Sequence, residues 1–323
     1  MPLPTLGIAL DLGSDRPVAA QLAAAAPLLR TAAEAGADSV WLGESYHATP
    51  EPFHLPSPLI TLAHLAALTP LKLGTGVLLS RAYDAHRLAY EAALVDQLSD
   101  GRLTLGLGLG APALRGTLGG PDRAAGAHLD SVLHTLRDAW GVTDGQATRA
   151  GKADPSPPAR VAPPPLQPGG PRLLIGGQGE AAVRRASTVG DGWYCATNYS
   201  DTLLRTQCAR LRDHPSRTRT AISVNRLCLV GGSDAEVGAA GKAFADVTGY
   251  YTRRGLWNAG AAAGDPPPVL VGTPDDVLAR LGVYGAWGVT HVQLRVLPAG
   301  VSPATAVRSL RLLADAGAFA PGK

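Results

Sequence analysis

The sequence has 323 residues, of which 46% are hydrophobic and 17% are charged, and its formal net charge is +3. Such a chain can bury a large core. Its positive and negative charges are nearly balanced, and it has no dense basic cluster of the kind that binds nucleic acids, so we expect no nucleic-acid partner. No apolar run approaches the roughly 18 residues of a membrane span, so we expect no membrane partner either.

The N-terminus and the spacing of cysteines and histidines predict the location of the protein and whether it binds a metal. Residues 1–17 have no basic segment before an apolar one, so they predict a first strand rather than a signal peptide, and we expect a cytoplasmic protein. The three cysteines are far apart, and the eight histidines have no metal-binding spacing. We therefore predict no metal site.

Apolar runs that are typical of strands alternate with segments of helical periodicity along most of the chain. The predicted strands are, in order, 6–10, 38–43, 71–79, 103–110, 172–177, 191–197, 221–232 and 291–297. The predicted helices are 18–36, 57–68, 85–98, 122–140, 179–189, 201–213, 234–251, 274–286 and 303–316. The strands are continuous apolar runs, which is typical of parallel strands that are buried on both faces.

Eight strands, most of them followed by a helix, predict an α/β fold, and specifically a closed (β/α)8 TIM barrel in a single domain over 1–323. Two excursions, 143–170 and 253–270, interrupt the alternation. Seven prolines exclude a helix from much of the first excursion. Long loops of this kind are usually lids or disordered connectors, so the first excursion is a candidate to close over a site.

A loop with very little side-chain bulk follows the fifth predicted strand and leads directly into a helix. It consists of Gly176, Gly177, Gln178 and Gly179. Loops that follow barrel strands lie on the catalytic side, and bare backbone N–H groups at a helix start bind phosphate. We predict that these four residues bind a cofactor phosphate, with Gln178 adding a side-chain donor. A simple tight turn is the alternative.

A second glycine cluster, Gly106, Gly108 and Gly110, follows the fourth strand. It can be aligned with the dinucleotide-binding pattern G-x-G-x-x-[GA], with Asp130 as the ribose-binding acid. However, Pro112 interrupts the turn, and Asp130 falls inside a helical pattern. The preferred interpretation is that the small residues leave room for a flat ring system at the barrel mouth.

Polar residues cluster after the second predicted strand, where barrel enzymes place reactive groups. Glu44 and His47 are close enough in sequence to share a proton, so we predict that they are catalytic. A glutamate that caps a neighbouring helix and a surface histidine are the alternatives. Four more residues near the ends of predicted strands are candidates for a substrate pocket: Tyr46, Trp193, Asn198 and Arg295.

Several linked motifs resemble the luciferase-like monooxygenase superfamily of flavin- and F420-dependent oxidoreductases. The motif D-x-L-S-x-G-R stands at 96–102, between the strand that carries Thr75 and Gly76 and the glycine-rich strand. The segments 171–193 and 271–296 resemble the fifth unit and the last crossover of the family. The sequence E-S-Y-H at 44–47 resembles the methylenetetrahydromethanopterin-reductase-like branch more than bacterial luciferase.

The resemblance implies a barrel that binds FMN or, alternatively, coenzyme F420 at its mouth. Thr75 and Gly76 would then form a bulge behind the cofactor ring, often with a non-proline cis peptide, and Gly108 and Gly110 would border the ring. The D-x-L-S-x-G-R motif would be mainly structural.

With FMN, the resemblance implies a monooxygenase that uses reduced FMN and O2 on a small organic substrate, with a separate flavin reductase as a partner. With F420, it implies direct hydride transfer. A non-catalytic flavin-binding protein is a second alternative, because a fold alone does not fix function. A dehydrogenase with a Rossmann-type fold that binds a dinucleotide is the rival interpretation. The apolar helices 18–36 and 85–98 would permit a homodimer.

Overall fold

The structure is a computed structural model that describes residues 3–14, 16–45, 55–110, 125–141, 160–215, 220–298 and 300–319. Its strands are β1 (Thr5–Leu10), β2 (Ser39–Leu42), β3 (Lys72–Leu79), β4 (Leu103–Gly108), β5 (Arg172–Gly176), β6 (Gly192–Cys195), β7 (Ala221–Val230), β8 (Val269–Gly272) and β9 (His291–Leu297). Its helices are α1 (Val18–Ala35), α2 (Pro58–Ala66), α3 (Ala85–Leu98), α4 (Ala125–Ala139), α5 (Glu180–Thr188), α6 (Asp201–Asp213), α7 (Asp234–Ala243), α8 (Ala245–Arg253), α9 (Pro274–Trp287) and α10 (Pro303–Asp315).

Eight of these strands close into a parallel barrel, which confirms the predicted (β/α)8 fold. The strands follow one another from β1 to β7, β7 then pairs with β9, and β9 pairs with β1. The buried apolar residues form a continuous core between the barrel and its helices. Within the described ranges, no helix has both the length and the hydropathy that crossing a bilayer demands.

The strand β8 was not predicted, and it lies outside the closed ring. It pairs with the second half of β7, from Leu227 to Val230, beyond the first half that pairs with β6. The predicted helix 234–251 is in fact two helices, α7 and α8, which are separated at the buried Phe244. Both differences occur between β7 and β9, where the chain leaves the simple strand–helix repeat.

The D-x-L-S-x-G-R motif packs the amino-terminal end of the barrel, which supports the structural role expected for it. The Arg102 guanidinium donates to the backbone carbonyls of Ala66 at 2.8 Å and Thr69 at 2.9 Å. The fully buried Asp96 accepts from the Gln167 backbone N–H at 3.0 Å and from its side chain at 2.7 Å. These bonds tie α2, α3 and the chain before β5 together.

The first excursion does not form a lid where it is described. Residues 160–170 lie at the amino-terminal end of the barrel, where Val161 N–H donates to the Ala139 carbonyl and Gln167 donates to the Leu103 carbonyl. The physical reason is topological: the segment joins the end of a helix to the start of a strand, and both lie opposite the mouth. The rest of this excursion, 143–159, lies outside the described residues.

Candidate functional site

The carboxyl ends of the barrel strands surround a cavity of about 620 Å³. Small-molecule sites usually occupy about 300–1000 Å³, so the cavity can hold a cofactor-sized ligand. The predicted site residues that line it are Glu44, Gly76, Gly110, Gly176, Gly177, Gln178, Gly179, Asn198 and Arg295.

Three other predicted site residues do not line the cavity. The fully buried Thr75 exchanges hydrogen bonds between its hydroxyl and the backbone of Gly106. A Cβ atom at Gly108 would lie 2.9 Å from Cγ2 of Val77, so this glycine makes room for a neighbouring strand rather than for a ligand. Trp193 is fully buried behind the β5 loop. Tyr46 and His47 lie outside the described residues.

The floor of the cavity is largely apolar and aromatic. The rings of Trp41 and Tyr194 lie 5.9 Å apart, and both residues line the cavity together with Val77. The peptide between Gly76 and Val77 is cis, at the bulge where the resemblance implied one. A Cβ atom at Gly76 would lie 2.2 Å from the Tyr194 hydroxyl, so only glycine fits there. The floor therefore provides a surface against which a flat ring can pack.

The glycine-rich loop forms one side of the cavity. Gly177 has φ 144°, a conformation that favours glycine, and Gly179 is the N-cap residue of α5. A Cβ atom at Gly179 would meet no atom within 4 Å, so the helix start faces open space. The Gln178 side chain hydrogen-bonds Tyr199. The loop therefore presents backbone N–H groups to the cavity, whereas the Gln178 side chain is bonded to Tyr199, which also lines it.

A charged pair borders the same side of the cavity. Arg185 lines the cavity, and it donates to Asp130 from Nε at 2.6 Å and from Nη2 at 2.9 Å. The Arg185 hydrogen bonds hold the pKa of Asp130 below its usual value. Asp130 therefore belongs to an ion pair on α4 in a closed barrel, and the dinucleotide-binding alternative is wrong.

Glu44 connects the ends of two strands at the cavity wall. One carboxylate oxygen accepts from the Leu79 backbone N–H at 2.7 Å, and the other accepts from the Tyr83 hydroxyl. Glu44 is only 7% exposed, and the two hydrogen bonds hold its carboxylate in place from two directions. Tyr83 is a site residue that the sequence does not reveal, because no local pattern connects it to a residue 39 positions earlier.

A buried ion pair lies across the cavity from the glycine-rich loop. Arg295 Nε donates to Asp11 at 2.7 Å, and both residues line the cavity. Burial raises the pKa of Asp11 although Arg295 opposes the shift. Burial disfavours the charge on Arg295, but Asp11 and Tyr251 keep the pKa of Arg295 above its usual value. This sector is polar but carries no net charge from the pair when both groups are ionised.

The end of α8 and the second excursion reach the mouth. Tyr250 and Tyr251 of α8 and Leu256 of the excursion line the cavity beside the Arg295 sector. The Asn198 side chain donates to the Leu256 carbonyl at 2.7 Å, and the Asn198 carbonyl accepts from the Ala259 N–H at 2.9 Å. The chain around 250–259 therefore borders the cavity and is fastened to the chain just after β6.

A closed (β/α)8 barrel with a glycine-lined cavity at its carboxyl mouth defines the class: a barrel with a cofactor-sized site. Residues 7–291 match the family model of luciferase-like monooxygenases, and the chain belongs to that family. This confirms the resemblance noted in the sequence and the class of enzyme expected from it.

One curated relative is the oxygenase component of a flavin-dependent trigonelline monooxygenase from Acinetobacter baylyi, which is 30% identical over 152 residues. That match covers 46% of this chain and 41% of the relative, so it spans about two fifths of that protein.

Three solved structures share the fold. Monooxygenase RslO1 from Streptomyces bottropensis has a TM-score of 0.79 and 23% identity, over 96% of this chain and 98% of that one. The oxygenating constituent of 3,6-diketocamphane monooxygenase from Pseudomonas putida, in complex with FMN, has a TM-score of 0.72 and 17% identity, over 96% of each chain. The coenzyme F420 dependent tetrahydromethanopterin reductase from Methanopyrus kandleri has a TM-score of 0.71 and 16% identity, over 98% of this chain and 99% of that one.

Proposed function

We propose that this protein is a monooxygenase that uses reduced FMN and O2 to oxidise a small organic substrate at the barrel mouth. One observation carries the proposal: a single cavity combines an aromatic and apolar floor, for a flat ring, with a bare helix start, for a phosphate. Family membership supports the same assignment. Coenzyme F420 has a flat ring and a phosphate too, so an F420-dependent hydride transfer is the alternative.

The residues present fit such a cofactor. The loop 176–179 would hold the phosphate through backbone N–H groups, and Val77, Trp41 and Tyr194 would lie against the ring. When bound, FMN supplies the electrons for oxygen activation, whereas F420 supplies a hydride. The protein supplies the position of the ring and a site from which water is excluded.

The sector around Arg295 is the proposed substrate side. Asn198, Arg295 and Tyr251 line it, and the chain near Leu256 covers it. A substrate held there would lie between the floor and the aromatic wall of α8, where bulk water has little access. We propose that Glu44, together with His47, handles protons near the ring or the substrate. Thr75, Gly108 and Trp193 would act indirectly, by shaping strands and loops around the cavity.

A cofactor titration followed by an oxygen assay tests the function. The expected result is saturable binding of FMN and, with chemically reduced FMN, oxygen consumption faster than with heat-denatured protein. Binding of F420 alone, with hydride transfer to an acceptor, would favour the alternative. Binding without any turnover would favour a non-catalytic flavin-binding protein, and no saturable binding of either cofactor would contradict all three.

A separate flavin reductase is the proposed partner for the FMN activity. The Acinetobacter relative is named as an oxygenase component, which implies that another component supplies its reduced flavin. We propose that this chain likewise receives reduced FMN from a reductase.

We also propose a homodimer through α2 and α3. These helices pack side by side, and exposed apolar side chains stand along α3, on α2 and just after α2. The exposed large apolar residues of this face are Ile60, Leu68, Tyr90, Leu94 and Leu98. The other helix considered from the sequence, α1, exposes only Val18 among its described large apolar residues. Exposed large apolar side chains grouped on neighbouring helices are typical of protein–protein contacts.

Leu94→Glu should convert a dimer into a monomer, because it places a charge in the middle of the buried face. Light scattering coupled to size-exclusion chromatography measures the mass directly. Val283→Glu is the matched control, since Val283 is an exposed apolar residue on α9 and its replacement should leave the dimer intact. A monomeric wild-type protein at micromolar concentration would contradict the proposal.

A further inference from the structure

Two buried side chains hold the carbonyl groups of the glycine-rich loop from the protein side. Trp193 Nε1 donates to the Gly177 carbonyl at 2.9 Å, and Gln207 Nε2 donates to the Gln178 carbonyl. Trp193 and Gln207 are fully buried, and neither lines the cavity. The two carbonyl groups therefore point into the protein, away from the cavity.

The planarity of the peptide group turns this into an orientation of the N–H groups. In a trans peptide the C=O and N–H bonds point in opposite directions. The cis peptides of the described residues lie elsewhere in the chain. A Gly177 carbonyl that faces Trp193 therefore directs the Gln178 N–H away from Trp193. By the same reasoning, the Gln178 carbonyl that faces Gln207 directs the Gly179 N–H outward.

These two N–H groups have no acceptor among the described residues. They lie next to the start of α5, whose partial positive charge favours an anion at the same place. A phosphate on the cavity side would replace water at both donors and would accept charge-assisted hydrogen bonds.

A cost at Gln207 indicates that its amide donor is useful. Gln207 Oε1 has no hydrogen-bond partner among the described residues, and a buried unsatisfied oxygen destabilises a fold. A methionine or leucine would fill the same space without that cost. A glutamine here is explained if its N–H group has to hold the Gln178 carbonyl.

We propose that Trp193 and Gln207 are positioning residues that orient the Gln178 and Gly179 N–H groups toward the cofactor phosphate. The inference rests on the proposed function, in which this loop binds the phosphate of FMN or F420. Donors that are fixed before binding lose less conformational freedom when the ligand arrives, so the affinity for the phosphate rises.

The test compares FMN with riboflavin, which has the same ring and no phosphate. Trp193→Phe removes the indole donor and keeps an aromatic ring, and Gln207→Met removes the amide donor and keeps the length. Each should weaken FMN binding by about tenfold, and riboflavin binding should stay the same. Fluorescence quenching of the two flavins gives both dissociation constants. If the wild-type protein binds F420 and not FMN, the pair is F420 and its phosphate-free deazaflavin fragment.

Matched controls remove the same groups elsewhere. Gln21 donates to the Arg16 carbonyl at 2.7 Å on α1, and Trp287 lies at the end of α9, so Gln21→Met and Trp287→Phe should leave both affinities unchanged. Equal losses for FMN and riboflavin in the Trp193 and Gln207 variants would show general damage and overturn the inference, as would no loss at all. A wild-type protein that binds both flavins equally would instead overturn the phosphate site of the proposed function.

Discussion

Gly179→Asp should weaken the binding of FMN or F420 by about a hundredfold and leave the fold intact. Aspartate is a favoured N-cap residue, the backbone at Gly179 is extended with φ −89°, and a Cβ atom there meets nothing within 4 Å. The substitution is therefore compatible with α5. Its carboxylate, however, would stand where the cofactor phosphate is proposed to lie, and juxtaposed like charges cost several kcal/mol.

Gly179→Asn is the matched control, because asparagine has nearly the same shape, caps helices equally well and carries no charge. We expect its dissociation constant to stay within a fewfold of the wild-type value. Isothermal titration gives the constants, and thermal unfolding verifies that both variants are folded. If the aspartate variant bound FMN as tightly as the asparagine variant, the phosphate would not lie at this helix start.

The barrel could be predicted from sequence where local signals agree with tertiary structure. The predicted bounds of α3 and α6 match the structure because each helix begins at a side chain that caps it. Asp84 accepts from the Arg87 N–H, and Ser200 accepts from the Leu203 N–H. Gly36 ends α1 with φ 86°, as its position at the end of an alanine-rich helix indicated.

The strand β8 could not be predicted in this way. It has only four residues, it follows a run of prolines, and it is a strand because β7 continues past the end of β6. The length of a neighbouring strand is a tertiary fact that no local pattern contains. The same limit applies to Glu44, whose partners Leu79 and Tyr83 come from the next strand and the turn after it.

The sequence also does not reveal which side chains of a strand face the cavity. Successive side chains of a strand point to opposite faces. In β6, Tyr194 faces the barrel interior, whereas Trp193 faces the helices and lies near Tyr199. Both faces of a barrel strand are buried, so both positions look alike in the sequence. The sequence therefore predicts Trp193 in the pocket, whereas in the structure it lies behind the glycine-rich loop and donates to the Gly177 carbonyl.

A charged cluster supports the neighbouring part of the cavity wall, at the end of β6. Asp201, at the start of α6, accepts from Arg226 at 3.4 Å, from Tyr284 at 2.8 Å and from Arg280 at 2.5 Å. Arg226 is fully buried and also donates to the Ala196 carbonyl at 3.2 Å. Ala196 and the two residues after it line the cavity, so this cluster holds the end of β6 in place.

Arg226→Met should lower the free energy of unfolding by about 3 kcal/mol, because removing one member of a buried charge cluster leaves its partner incompletely compensated. Urea denaturation measures the change. Arg308→Met is the matched control: Arg308 pairs with Glu236 at 2.8 Å but is 59% exposed, and loss of such a pair should cost about 1 kcal/mol or less. Equal stability losses in the two variants would show that burial of Arg226 adds nothing to its contribution. Arg226 also holds the Ala196 carbonyl at the cavity wall, so Arg226→Met should raise KM for the substrate more than it lowers kcat. Unchanged kinetics would show that the cluster does not affect the cavity.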